Sequence, residues 1–182
     1  MHIVPTYDYQ LAIDELLNES VLGFDTETKP SFKKGEKYLP SLVQLAGEHA
    51  VYIFQLRHLR HYAPLSVILS DPFIAKVGVA VHDDIKKLQE LIHFIPAGFV
   101  DLSDVTAKVG LGIMGIRTLA AHFLECRVSK GARCSNWASD ILRSKQVEYA
   151  ATDAWVPRVA YLRIQDQLRS GVLSLVPPQD SE

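Results

Sequence analysis

The apolar run Val21-Leu22-Gly23-Phe24 leads directly into Asp25-Thr26-Glu27-Thr28. Four apolar residues feeding a polar quartet read as a buried strand that emerges at its polar end. Side chains alternate across a strand, so Asp25 and Glu27, at i and i+2, project from one face. Adjacent carboxylates repel, and such a pair requires either full solvation or a cation between them. A solvated strand end is the ordinary account of an isolated Asp-x-Glu. The apolar run that anchors this one at the end of a core strand weakens that account.

The elements around this strand set the fold class. Residues 9–17 carry apolar positions at helical spacing behind Asp8 as an N-cap. Residues 29–40 form a basic loop punctuated by Pro30, Gly35 and Pro40. Strands over 42–46 and 51–54, joined by the turn Gly47-Glu48, suit an antiparallel hairpin. Past Pro64 the pattern alternates: a helix over 65–69, an apolar stretch over 74–81, a helix over 84–94 and a strand over 99–101. Further helices are expected over 103–108, 117–124 and 145–168. A hairpin followed by strand–helix alternation predicts an α/β fold, with a mixed sheet (antiparallel hairpin plus parallel strands) flanked by helices. The 182 residues suit one domain over 1–175 and a flexible tail over 176–182.

Two more acid sites lie at predicted element ends. Val81-His82-Asp83-Asp84 stands at a strand-to-helix junction, where capping and the helix dipole explain one acid but do not call for two. Tyr149 and Asp153 are four residues apart on a helix and share a face, with Ala150 and Ala151 leaving that surface uncrowded. Taken singly, each site has a structural explanation: a cap, or an amphipathic helix with a half-buried tyrosine. Together, Asp25, Glu27, Asp84 and Asp153 are hard oxygen ligands of the type that suits Mg²⁺ or Mn²⁺, whereas zinc prefers His and Cys. Two such ions ~3.5–4 Å apart form the clamp used for phosphodiester hydrolysis.

At these residues the chain resembles the DEDD 3′–5′ exonucleases of ribonuclease H-like fold, in the subgroup with a tyrosine in the third motif. The motifs are Phe24-Asp25-Thr26-Glu27-Thr28, then Val77-Gly78-Val79-Ala80-Val81-His82-Asp83-Asp84 with Lys87-Leu88, then Tyr149-Ala150-Ala151-Thr152-Asp153-Ala154. Leu42-Val43-Gln44-Leu45, Phe99-Val100-Asp101-Leu102 and Arg133-Cys134-Ser135-Asn136-Trp137 are similar to linking stretches of the Werner-syndrome helicase exonuclease domain. Ribonuclease D is a looser match. The resemblance implies a metal-dependent 3′–5′ exonuclease that releases nucleoside monophosphates with two divalent ions, Mg²⁺ or Mn²⁺. It implies Asp25, Glu27 and Asp153 as ligands of the first metal, Asp25 shared with the second, and Asp84 as the second-motif acid, which leaves Asp83 as the cap. It implies that Tyr149 orients the attacking water and that Thr26 and Thr28 line the pocket of the terminal nucleotide. A non-catalytic nucleic-acid-binding module of the same fold is the alternative. Two features depart from the pattern: the extra acid Asp83 beside the second-motif ligand, and Pro157, which predicts a kink or break just after Asp153.

Other signals are weaker. Gly110-x-Gly112-x-x-Gly115 spells a dinucleotide-binding motif, but a helix is expected before it where that motif needs a strand, so no NAD is expected. Cys126 and Cys134 lack the spacing of a zinc site. Arg57 to His61 reads as a solvated face. Arg133 and Trp137 are candidate substrate contacts, the latter as a stacking surface. The chain carries no signal peptide and no apolar run near the ~20 residues of a membrane span, so a cytoplasmic protein with no membrane partner is expected. The net charge of -2 excludes a strongly basic groove binder but not a nuclease. Setting aside the four proposed ligands leaves 17 of the 21 acids against 19 bases, a slight excess suited to a short, salt-sensitive hold on a strand end.

Overall fold

The computed structural model describes residues 2–3, 9–31, 33–129, 131–132 and 134–176. Along the chain the strands are β1 (His2–Ile3), β2 (Val21–Thr28), β3 (Pro40–Ala46), β4 (Val51–Gln55), β5 (Ala75–Gly78) and β6 (Phe99–Asp101). The helices are α1 (Tyr9–Leu16), α2 (Ala63–Ser70), α3 (Val81–Gln89), α4 (Leu102–Lys108), α5 (Ile116–Leu124) and α6 (Ser144–Arg169). One 3₁₀ turn, Leu56–His58, follows β4. The six strands form one sheet in the order β1-β4-β3-β2-β5-β6. The expected hairpin, β3 with β4, is present and antiparallel; β2 pairs antiparallel with β3, β5 adds parallel to β2, β6 parallel to β5, and β1 parallel to β4. The sequence did not announce β1, whose two residues are too few to show a period.

The two faces of the sheet bury different side chains of the same strands. Leu22 and Phe24 of β2, with Val43, Leu45 and Phe54, pack under α1, α2 and α3. Leu42, Ala46, Val51 and Ile53 point the other way, against Ala150, Ala151 and Ala154 of α6. A third cluster joins Val77 of β5 to α4, α5 and the far half of α6 through Leu102, Leu119, Phe123, Val156 and Ala160. Strand alternation therefore sends Phe24 and Thr26 towards α3, and Gly23, Asp25 and Glu27 towards α6. That split decides which helix supplies each partner of the Asp25 strand.

Three local expectations are corrected. Helix α6 runs through Pro157 without a break. Pro157 is buried, and α6 is packed against β2, β3, β4 and β5, so tertiary contact outweighs the lost backbone hydrogen bond. Helix α3 starts at Val81, earlier than expected, and stops at Gln89, its end closing in tighter turns where Glu90 N bonds Lys87 O and Leu91 N bonds Leu88 O. Asp83 does not cap it: the residue before the helix is Ala80, with no side-chain cap, and Asp83 makes only a loose exposed pair with Lys86 at 3.8 Å. Asp8 and residues 177–182 of the tail lie outside the described residues. The Gly110–Gly115 loop joins helix α4 to helix α5, so the strand that a dinucleotide loop requires ahead of it is replaced by a helix.

Candidate active site

Three carboxylates converge between β2 and α6. Asp25, Glu27 and Asp153 each offer an oxygen, and the three oxygens lie within 4.8 Å of one another. The strand supplies two because its period places them on one face. The helix supplies the third because Gly23 lets α6 approach β2 at backbone distance. Burial, and then the neighbouring carboxylates of Glu27, Asp153 and Asp84, push the Asp25 carboxyl well above its ordinary value. Three hard oxygen donors that cannot comfortably share negative charge form a donor set suited to a divalent cation of the Mg²⁺ or Mn²⁺ type, and the residues present fit one.

Asp84 approaches from the other side. Its helix, α3, packs on the opposite face of the sheet, and Thr26 bridges the gap: its hydroxyl donates to Asp84 Oδ1 at 2.8 Å. Burial raises the Asp84 carboxyl, against the lowering effects of the Thr26 hydrogen bond and of Lys87. Thr26 is itself buried, and its hydroxyl is held by the Asp84 carboxylate. Thr28 is half-buried beyond an irregularity in the β2–β3 register at Glu27/Thr28.

Tyr149 lies one turn before Asp153 on α6, as the i, i+4 spacing predicts. Burial first, and then the charge and hydrogen bond of Asp153, hold its phenol far above the ordinary tyrosine range. It is a proton donor at any physiological pH and not a base. Its ring stands 6.0 Å from that of Trp137. Trp137 corrects an expectation: it is 1% exposed, packed with Leu42, Ala46 and Ile53, and its buried Nε1 has no partner among the described residues. A base cannot stack on a ring so enclosed; Trp137 instead backs Tyr149. Arg133, the other candidate contact of that stretch, lies outside the described residues.

One residue of this site was not singled out from the sequence. Asp101, at the end of β6, accepts from the backbone N–H groups of Ala80 at 3.2 Å, Val81 at 3.1 Å and Ser103 at 2.9 Å. It caps α4 and, from the strand beside β5, also the start of α3, three residues before Asp84. It also steadies Ala80, whose φ of 57° is the left-handed conformation that non-glycine residues rarely adopt. An apolar strand ending in Asp before a helix is the signal that could have revealed the first of these roles. Asp101→Ala is expected to cost about 3 kcal/mol, the loss of one cap plus two unsatisfied amides. Equilibrium denaturation checks this, and Asp101→Asn should recover part of the loss.

The profile of a 3′–5′ exonuclease family matches residues 5–171. The chain belongs to the 3′–5′ exonuclease family. Ribonuclease D of Gluconacetobacter diazotrophicus is 31% identical over 179 residues, covering 96% of this chain and 44% of that protein. The bifunctional 3′-5′ exonuclease/ATP-dependent helicase WRN of Mus musculus is 30% identical over 155 residues, covering 82% of this chain and 11% of that protein. The exonuclease chain thus spans less than half the length of these two curated relatives. Among solved structures, the Nibbler EXO domain of Aedes aegypti superposes with a TM-score of 0.83 at 25% identity, over 95% of this chain and 90% of that one. Escherichia coli RNase D gives 0.83 at 19% identity, over 94% and 46%. The expected ribonuclease H-like exonuclease fold is therefore the observed one.

Proposed function

We propose that this exonuclease domain hydrolyses the terminal phosphodiester of nucleic acid 3′ ends, DNA or RNA, releasing nucleoside monophosphates one at a time. The convergence of Asp25, Glu27 and Asp153 within 4.8 Å, with Asp84 held beside them by Thr26, carries this reading. Divalent ions, Mg²⁺ or Mn²⁺, supply an activated water and offset charge on the leaving oxygen when bound. Asp25, Glu27 and Asp153 would hold one, and Asp25 with Asp84 the other. Tyr149 keeps its proton, donates it in a hydrogen bond to Asp153, and its oxygen so oriented accepts a hydrogen bond from the attacking water. In the reaction, water oxygen bonds to phosphorus, the bond from phosphorus to the 3′ oxygen breaks, and the shortened strand leaves with a 3′ hydroxyl. Thr26 and Thr28 are proposed to line the pocket of the terminal nucleotide, and Arg133 is a proposed substrate contact.

A hollow of about 370 Å³ next to Tyr149 is lined by Arg127, Lys145 and Trp155 among others. Arg127 and Lys145 are exposed there and suit backbone phosphates, and the exposed part of the Trp155 ring suits a base. We assign this hollow to the strand behind the scissile bond. The two free, exposed thiols of Cys126 and Cys134 suit a reducing compartment, and we place the protein in the cytoplasm. Among the described residues, no helix is long and apolar enough to cross a membrane. Nicotinamide cofactors have no role in this reading.

Matched 5′-labelled DNA and RNA single strands, incubated with Mg²⁺, Mn²⁺ or EDTA, test it. The expected result is a ladder shortening from the 3′ end that EDTA abolishes. Shortening that persists in EDTA sinks the metal-dependent reading, and binding without cleavage in Mn²⁺ favours the non-catalytic module. Tyr149→Phe is expected to lower kcat roughly tenfold to a hundredfold with little change in KM, as loss of an orienting group does. Unchanged turnover would remove its assigned role.

A further inference from the structure

Strand β3 turns Leu42, Gln44 and Ala46 towards α6, and of these three only Gln44 is polar. Gln44 is fully buried, and neither its Nε2 nor its Oε1 has a hydrogen-bond partner among the described residues. Apart from Asp25 on β2, its neighbours on that face, Leu42, Ala46 and Ile53, are apolar, as are Ala150, Ala151 and Ala154 of the covering helix. An unpartnered amide in such surroundings lowers stability, and an apolar residue of the same length would fit without that cost. Packing therefore gives no reason for a glutamine here.

The register supplies one. Gln44 stands directly opposite Asp25 in the antiparallel pairing of β2 with β3. Side chains of directly opposed residues share a face, with Cβ atoms about 4.5–5.5 Å apart, within reach of a carboxamide. A carboxylate that offers one oxygen to a cation has lone pairs left over, and donors on those lone pairs fix its orientation and tune its affinity. Gln44 is a donor of the right reach, on the right face, with nothing else to bond.

We propose that Gln44 is a positioning residue of the carboxylate site: its Nε2–H group, unpartnered among the described residues, turns to donate to Asp25 when the divalent cation binds and fixes which carboxylate oxygen is presented to it. This rests on the metal-dependent reading above. Gln44 does not touch substrate; it acts through Asp25.

Calorimetric titration of the full chain with Mn²⁺ tests the assignment, using wild type, the near-isosteric Gln44→Met and, as a second apolar variant, Gln44→Leu. Thermal melts in EDTA and steady-state kinetics on a labelled oligonucleotide accompany it. Both variants are expected to melt at or above wild type in EDTA, because each removes an unpartnered buried amide. Both are also expected to bind Mn²⁺ roughly tenfold or more weakly, as loss of an outer-shell partner does, and to lose kcat at saturating Mn²⁺ with KM for the oligonucleotide unchanged. Mn²⁺ affinity within twofold of wild type in both variants overturns the proposal. Lower melting in EDTA with unchanged kcat also overturns it and gives Gln44 a structural role. If wild type itself binds no Mn²⁺, the metal-dependent reading fails and this inference fails with it. If wild type binds Mn²⁺ and the variants match it, only the inference fails.

Discussion

Asp25→Asn is expected to abolish exonuclease activity and at the same time to stabilise the metal-free protein at neutral pH. Asp25 is the residue shared by both halves of the site: it sits beside Glu27 and Asp153, and it feels Asp84 as well. Losing a cation that contributes several kcal/mol to the transition state corresponds to a fall of roughly a thousandfold or more in rate. The stability effect has the opposite sign and a separate cause. Burial and like charges raise the folded pKa of Asp25 well above its unfolded value. The folded state therefore holds this proton to higher pH than the unfolded state does. The stabilisation is fully present below the ordinary carboxylate pKa of ~3.9 and is lost as pH rises through the folded value. In EDTA at pH 7, the asparagine avoids the cost of ionising a half-buried acid among others. Melts in EDTA should place the variant above wild type at pH 7, with the gap closing towards pH 4. Added Mn²⁺ should reverse the order, because only the wild type gains the cation. A variant that keeps a tenth of the activity, or melts below wild type in EDTA at pH 7, contradicts the assigned geometry.

The parts of this site legible in the sequence were those set by local period. Asp25 and Glu27 share a face because a strand repeats every two residues, and Tyr149 and Asp153 share one because a helix brings i and i+4 together. The hairpin, β6 and the long helix were legible for the same reason, each carrying a strong pattern between clear breaks. The parts that were not legible depend on contacts between distant segments. Asp83 looked like the cap of α3, yet Asp101, on another strand, receives the amides of Ala80 and Val81. Trp137 looked like a surface for a base because it follows a polar stretch, but the segment folds over the hairpin and buries the ring. Pro157 argued for a kink or a break in α6; the break does not occur, because tertiary packing carries the helix through it. Thr26 is the intermediate case: strand alternation turns it away from Asp25, but only the packing of α3 reveals that Asp84 waits there.

Gly23→Ala is expected to be the most damaging change of a single methyl group in the protein, lowering stability by about 3 kcal/mol and turnover with it. A Cβ built at Gly23 would lie 1.9 Å from the Ala154 carbonyl oxygen and 3.1 Å from the Ala46 Cβ. The first contact is with helix backbone, which cannot rotate aside as a side chain can. Nor can the helix slide freely, because Arg158 anchors it to the start of β2: its Nε donates to the Val21 carbonyl at 2.9 Å and its guanidinium pairs with Glu19 at 3.1 Å. Relief must come from separating β2 and α6 where they meet. Gly23 is two residues from Asp25, and Ala154 is next to Asp153, so the separation opens the carboxylate cluster itself. Denaturation should therefore show lost stability, and Mn²⁺ titration weakened binding in whatever fraction stays folded. Gly115→Ser is the matching control. Nothing lies within 4 Å of a Cβ there, and serine is a favoured residue at that helix N-cap. It should leave stability unchanged or slightly raised, and activity intact. If both variants behave alike, close approach of strand and helix at Gly23 is not what holds Asp153 against Asp25 and Glu27.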